Sequence, residues 1–170
     1  MRQSFSNWGA SLSEIAWAAI AAQRTASAFS QRTLVNHWIR KARQADGFVF
    51  GSPVYFAHPT GQMLAVMDRL FYAGGDAFAH KPAAAVVTAR RAGTTASLDV
   101  LTKHFTNAQM PVVSSTYWNM VFGPAPEQAV LDQEGLQTMR NLGRNLAWLL
   151  QCIQAGREQG LLPPEAEHRD

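Results

Sequence analysis

Between Gly47 and Arg69 the chain reads GFVFGSPVYFAHPTGQMLAVMDR, and these 23 residues leave few folds open. Phe48-Val49-Phe50 is a short apolar run set between Asp46-Gly47 and Gly51-Ser52-Pro53. That is the pattern of a strand buried on both faces. Proline has no N–H and a fixed φ, so the ladder is expected to stop at Pro53 and the chain to turn outward. Tyr55 and Phe56 come next, at the strand's carboxyl end. His58-Pro59-Thr60-Gly61 then leads into a helix of about 61–72, whose apolar positions Met63, Leu64, Met67, Leu70 and Phe71 recur at helical spacing. A strand, an aromatic loop and a helix N-terminus in such close succession make a ligand-binding corner of an open α/β sheet.

The flanking sequence extends the same alternation. Upstream, Ser11 or Ser13 is placed to cap a helix to about Arg24, Ser11-x-x-Glu14 matching a capping box, and Thr25-Ala26-Ser27 breaks it. The apolar patch Ile15 to Ala22 fits an amphipathic or buried helix better than a secretory signal, because Glu14 abuts it and Arg2 is the only early positive charge. A second helix is expected over Gln31 to Gln44, with Leu34, Val35, Trp38, Ile39 and Ala42 on one face. Downstream come a strand from Ala83 to Ala89, a turn at Arg90 to Thr95, and a helix to about Phe105. Pro111 to Ser115 reads as a third short strand, with Tyr117 to Phe122 extending it or capping the sheet. A long helix is expected from about Glu127 to Glu158, on the stripe Leu136, Met139, Leu142, Leu146, Leu149 and Ile153. Strands alternating with helices predict an α/β fold with a parallel sheet.

Composition narrows the function classes. A chain of 170 residues with 47% apolar and 16% charged residues can bury a core without disulfides or metals. Its formal charge of +3 suits an anionic ligand such as a phosphorylated cofactor, and no basic stripe or recognition motif points to nucleic acid. No run approaches the length of a membrane span. The single cysteine, Cys152, excludes an internal disulfide and a Cys-rich zinc or iron–sulfur site, and a cytoplasmic location is the plain expectation. His58, His80, His104 and Cys152 show no metal or nucleophile spacing and read as structural.

Three motifs together resemble one family. SPVYFAHPTGQMLAVMDR, residues 52–69, resembles the segment after the third strand of the flavodoxin-like, NAD(P)H-dependent FMN reductase family. KPAAAVVTARRAGTT, Lys81 to Thr95, resembles that family's fourth strand and flavin-contacting loop. MPVVSSTYWNMVFG, Met110 to Gly123, resembles the fifth strand and the segment after it. The resemblance spans residues 31–160. It implies a flavodoxin-like three-layer parallel sheet, incomplete at the N-terminus, in a single domain over 1–160 with a tail at 161–170. It also implies FMN as cofactor, NAD(P)H as reductant and a small-molecule electron acceptor, either FMN or a quinone, in a homodimer or homotetramer.

The same resemblance assigns the ring edge of the flavin to Ser52, Pro53, Val54 and Tyr55. Gly61, Arg90, Arg91, Gly93 and Thr94 would face the negative charge that builds on reduction. No side chain need act as acid or base, because the cofactor carries the chemistry. Plainer readings stand beside these: Tyr55 and Phe56 as core or interface aromatics, Arg90-Arg91 as a solvated pair, Asp68-Arg69 as an internal ion pair or subunit contact, Tyr117 and Trp118 as packing or dimer-interface residues.

One part of the family pattern has no counterpart. A flavodoxin-like sheet has five strands in the order 2-1-3-4-5, and no stretch here reads as the first strand and the phosphate loop after it. Ser4, Ser6, Asn7, Gly9 and Ser11 are suitable residue types for an anion nest, without a strand before them. One alignment makes 6–24 the remnant of that loop and first helix, with the second strand deleted. Another makes 15–30 a degenerate form of the loop before the second helix. Neither restores the first strand, so a truncated or wrongly assigned start is one explanation. A flavin-free remnant serving as a dimerisation or interaction module is the alternative function.

Overall fold

The computed structural model describes residues 16–18, 28–165 and 167, with side chains from Leu34 onward. The elements run β1 (Ala16–Ala18), α1 (Ala28–Gln44), β2 (Phe48–Tyr55), β3 (His58–Pro59), α2 (Gly61–Gly74), β4 (Ala83–Ala89), α3 (Thr94–Asn107), β5 (Met120–Phe122), α4 (Pro126–Ala129) and α5 (Gln133–Glu158). Strands β1, β2, β4 and β5 lie side by side in that order, all parallel. β3 folds back on β2 as an antiparallel arm.

Side chains alternate across the pleat, so β2 feeds two separate cores. Phe48 and Phe50 point to the layer of α1, α2 and α3, where Val35, Ile39, Met63, Met67, Leu101 and Phe105 close over them. Phe48 meets Phe78 at 5.0 Å between ring centroids, Phe50 meets Phe105 at 5.1 Å, and Phe71 stacks on Phe78 at 4.5 Å. These spacings suit aromatic pairs and add to the area they bury. Val49 points the other way, to Ala84, Val113 and the α5 residues Leu142 and Leu146. β4 tolerates helices on both faces because it is mostly alanine, and Ala83, Ala84 and Ala85 let the layers approach closely.

At the opposite end from the β2 turn, Lys81 ties β4 to α1. Its Nζ donates to the carbonyls of Ala42 (2.8 Å) and Arg43 (3.2 Å), a basic group at a helix C-terminus. Burial holds the Lys81 ammonium below its ordinary range, with Asp46 opposing that shift.

Several expectations need correction. Ala16–Ala18, expected inside a helix, form a strand paired in parallel with Phe48–Phe50. The three residues gain backbone partners from an open sheet edge, which local propensity cannot anticipate. The rest of the helix expected to Arg24 lies outside the described residues. The ladder does not stop at Pro53: β2 pairs with β4 as far as Pro53↔Thr88 and with β3 at Val54 and Tyr55. The N–H of Phe48 points to β4, where it donates to Pro82 O. Successive peptide groups alternate sides, so the nitrogen of residue 53 faces the β1 side, where pairing ended at Phe50. Proline there forfeits no ladder bond.

The strand expected over 111–115 is a single bridge, Val112 to Ala83, and pairing with β4 resumes only at Met120↔Val87. A four-residue advance along β4 is thus matched by an eight-residue advance along its partner, and the surplus makes an excursion over residues 114–119. The long helix expected from Glu127 is two. α4 ends at Ala129, and α5 starts afresh after Asp132, whose carboxylate accepts from Gly135 N (2.9 Å) and Phe122 N (2.7 Å). Phe50→Ala, at the meeting point of the ring cluster, should cost about 3–5 kcal/mol in urea unfolding.

Candidate functional site

The carboxyl ends of β2 and β4 bring the motif residues to one edge of the sheet. Here β2 continues into a tight hairpin, Tyr55 to His58, and Phe56 and Ala57 at its tip have φ of 52° and 59°. Two consecutive left-handed residues make a type I′ turn, which favours Asn-Gly because side chains cost roughly 1–2 kcal/mol each in that region. A bulky aromatic at such a φ is a real outlier. The Phe56 ring is entirely exposed at 104% relative accessibility, and Tyr55 beside it is 61% exposed. The hairpin therefore lifts two aromatic rings off the sheet edge into solvent at a conformational cost.

Ser52 and Thr60 sit at the base of this arm. Thr60 N donates to Ser52 Oγ at 3.0 Å, Ser52 Oγ donates to Pro53 O at 2.9 Å, and Thr60 Oγ1 accepts from Met63 N at 3.1 Å as the N-cap of α2. Gly61, the first residue of α2, has open space where a Cβ would stand. Its helix carries no acidic residue in the first turn, so the positive end of its dipole is unopposed locally.

The loop after β4 meets the arm from the side. Gly93 has φ of 91° and stands at the N-cap of α3. A Cβ on it would run into the Cα of Ala57, with Ala57 Cβ at 2.8 Å and Val54 Cγ1 at 3.1 Å. What closes on Gly93 is the hairpin itself. Thr94 is buried, and α3 too lacks an acid in its first turn. Arg90 and Arg91 stand exposed in this loop, with no ion pair among the described residues.

Of the residues expected from sequence, Tyr55, Gly61, Arg90 and Arg91 are open to solvent at this edge, and Pro53 and Val54 are half-buried along the arm. Ser52 and Gly93 are engaged in building it, and Thr94 is buried at the start of α3. Thr60, which the motif places only in the approach to a helix, ties the arm to α2. The signal for that role is a hydroxyl residue immediately before the first apolar helical repeat.

Beyond β4, the excursion docks on α5. Ser115 Oγ donates to Thr138 O (2.7 Å), Asn145 Nδ2 to Ser114 O (2.9 Å) and Asn141 Nδ2 to Thr116 Oγ1 (3.2 Å). Asn119 Nδ2 replaces a missing strand N–H by donating to Ala85 O at 3.0 Å, leaving its buried Oδ1 without a partner among the described residues. Tyr117 and Trp118 pack edge to face at 4.9 Å and are exposed, so they are not core residues of this chain. Asp68 pairs with His104 Nε2 at 3.0 Å, joining α2 to α3. Among the described residues no three His, Cys, Asp or Glu side chains converge as metal ligands, and no helix is long and apolar enough to cross a membrane.

Residues 12–125 match the family described as NADPH-dependent FMN reductase. The chain belongs to this family. An iron–sulfur flavoprotein of Methanocaldococcus jannaschii is 31% identical over 128 residues, which take in 71% of this chain and 66% of that protein's length. The single Cys152 supplies one thiolate where a four-cysteine cluster needs four. Two solved structures share the fold. A WrbA-like flavodoxin from Agrobacterium tumefaciens aligns with a TM-score of 0.58 at 21% identity, covering 69% of this chain and 73% of that one. An oxidoreductase from Corynebacterium diphtheriae aligns with 0.52 at 23% identity, covering 72% and 63%. The α/β sheet flanked by helices is flavodoxin-like.

Two variants test the arm. Gly93→Ala should destabilise the protein by more than about 1 kcal/mol, since the new methyl meets Ala57 and the residue must hold a positive φ. Phe56→Asn with Ala57→Gly should raise stability by roughly 1–2 kcal/mol in chemical denaturation, because both then suit the turn.

Proposed function

We propose that this chain binds FMN at the carboxyl edge of β2 and β4 and serves an NAD(P)H-dependent oxidoreductase reaction with a small electron acceptor, FMN or a quinone. The family match carries the reading, and the convergence of the 53–61 and 90–94 segments at one sheet edge supports it. Open α/β sheets bind ligands in that position. The donor set suits the cofactor: exposed aromatic rings for a planar heterocycle, two helix N-termini without acids, and two exposed guanidinium groups for its negative charge.

When bound, FMN would supply the redox chemistry that links the nicotinamide to the acceptor. The protein's part is placement. Tyr55 would lie against the ring, with Pro53 and Val54 along its edge. The N–H groups at the start of α2, beside Gly61, and at the start of α3, beside Gly93 and Thr94, would face the side on which negative charge accumulates, with Arg90 and Arg91 adding full positive charge. Ser52 would contribute by shaping the strand end rather than by contact. A homodimer or homotetramer would let a second copy close the open side of this edge.

A second reading has one observation in its favour. Among the described residues the sheet has four parallel strands, one fewer than the flavodoxin-like order contains. A chain with that sheet could persist as a flavin-free interaction module.

Titration of the purified protein with FMN, monitored by flavin absorbance and fluorescence, separates the two. Saturable binding in the micromolar range or tighter, at about one flavin per chain, is the expected result. Tyr55→Ala should then weaken it by about tenfold, the scale of one lost aromatic contact. Absence of saturable binding would leave the interaction module as the better account.

A further inference from the structure

We infer that Ser52 and Thr60 form a two-hydroxyl relay that positions the aromatic arm and the start of α2 for the flavin, and that Ser52 does not itself touch the ligand. The inference rests on the flavin reading and refines it. It starts from the period of a strand. Ser52 comes after Phe48 and Phe50 at spacing two, so its side chain points to the layer of α1, α2 and α3 rather than out of the sheet edge. It is 4% exposed, and Thr60 is 7% exposed.

A serine hydroxyl has one proton to give. That of Ser52 goes to Pro53 O at 2.9 Å, while its oxygen accepts Thr60 N at 3.0 Å. Buried, and engaged as both donor and acceptor inside the hairpin, this side chain is spent on the protein. Thr60 continues the relay: its hydroxyl accepts Met63 N at 3.1 Å, and its carbonyl accepts Leu64 N at 3.1 Å. One chain of hydrogen bonds therefore runs from the end of β2, across the neck of the hairpin, into the first turn of α2.

The arm needs such bracing. Phe56 and Ala57 are both held in the left-handed region without the help of a glycine. Backbone in that state persists only where its surroundings over-determine it. Gly93 seats the tip from one side, and the relay closes the neck from below. Releasing the neck lets Tyr55 and Phe56 swing and uncouples them from the N–H groups beside Gly61. The two parts would then no longer present a single pre-formed surface to a planar anion, and affinity falls when a site must be ordered on binding.

The test compares Ser52→Ala, Thr60→Val and their double variant with Thr60→Ser, which keeps the hydroxyl. The readouts are FMN affinity and NMR relaxation and amide exchange over residues 55–63. The relay requires each single variant to lose at least about tenfold in FMN affinity and the double variant to lose little more than either. It requires Thr60→Ser to stay within about twofold of the parent, and residues 55–58 to become more mobile in both single variants. If Ser52→Ala loses affinity while Thr60→Val, which keeps the Thr60 N–H, binds like the parent, the Thr60 hydroxyl carries nothing and the two-hydroxyl relay is wrong. Parent-like affinity and unchanged mobility in both would also overturn it. Should the parent itself not bind FMN, the flavin reading falls separately. The relay then stands or falls on the mobility of 55–58 alone.

Discussion

Everything in this molecule hangs on β2 being flanked by strands and covered on both faces. β1 and β4 pair with its two edges, so Phe48, Val49 and Phe50 have backbone partners on either side. Its even residues enter the phenylalanine cluster under α1, α2 and α3, and Val49 enters the core under α5. A strand so enclosed cannot slide, because a shift of one residue would exchange the two cores. The same immobility fixes where β2 ends, and therefore where the hairpin, the α2 N-terminus and the Gly93 loop meet.

Rigidity at the base permits strain at the tip. The arm carries two non-glycine residues in a conformation that disfavours them and a phenylalanine ring fully in water. An isolated two-stranded hairpin would not sustain this. Here the neck is tied by the Thr60 N–H donating to the Ser52 hydroxyl, and the tip rests on a glycine that leaves no room for a side chain. Stability supplied by the sheet and helix layers is thus used to hold exposed aromatic groups in place, the usual relation between a scaffold and its binding edge. Family membership gives that edge a ligand to propose, and the helix N-termini and arginines beside it agree in sign with a phosphorylated flavin.

Much of this was legible in the residues. The apolar run at Phe48 to Phe50, the repeat Met63, Met67 and Leu70, and the alanine-rich strand after Pro82 specify their elements through burial, and all three are buried as their periodicity requires. What local pattern could not anticipate depends on neighbours distant in sequence. Pro53 stays within the ladder because of which side of the sheet its nitrogen faces. Ala16–Ala18 become a strand because an edge of β2 is there to receive them. The excursion before Met120 arises from a mismatch between two strands, and the helix break at Asp132 from a carboxylate that also serves Phe122 N.

The candidate site divides along the same line. The family, the parallel α/β class and the set of residues near the strand ends are legible in the residues alone, since these depend on short-range motif and hydrophobic period. Which of those residues face solvent and which brace the site depends on how the folded chain packs around them. Ser52, Gly93 and Tyr55 lie in similar motif positions, yet one hydroxyl is consumed by Thr60, one glycine is filled by Ala57, and one ring stands free. Their roles differ because a side chain's availability is set by what the fold packs against it, and that partner is chosen by the folded chain rather than by the local sequence.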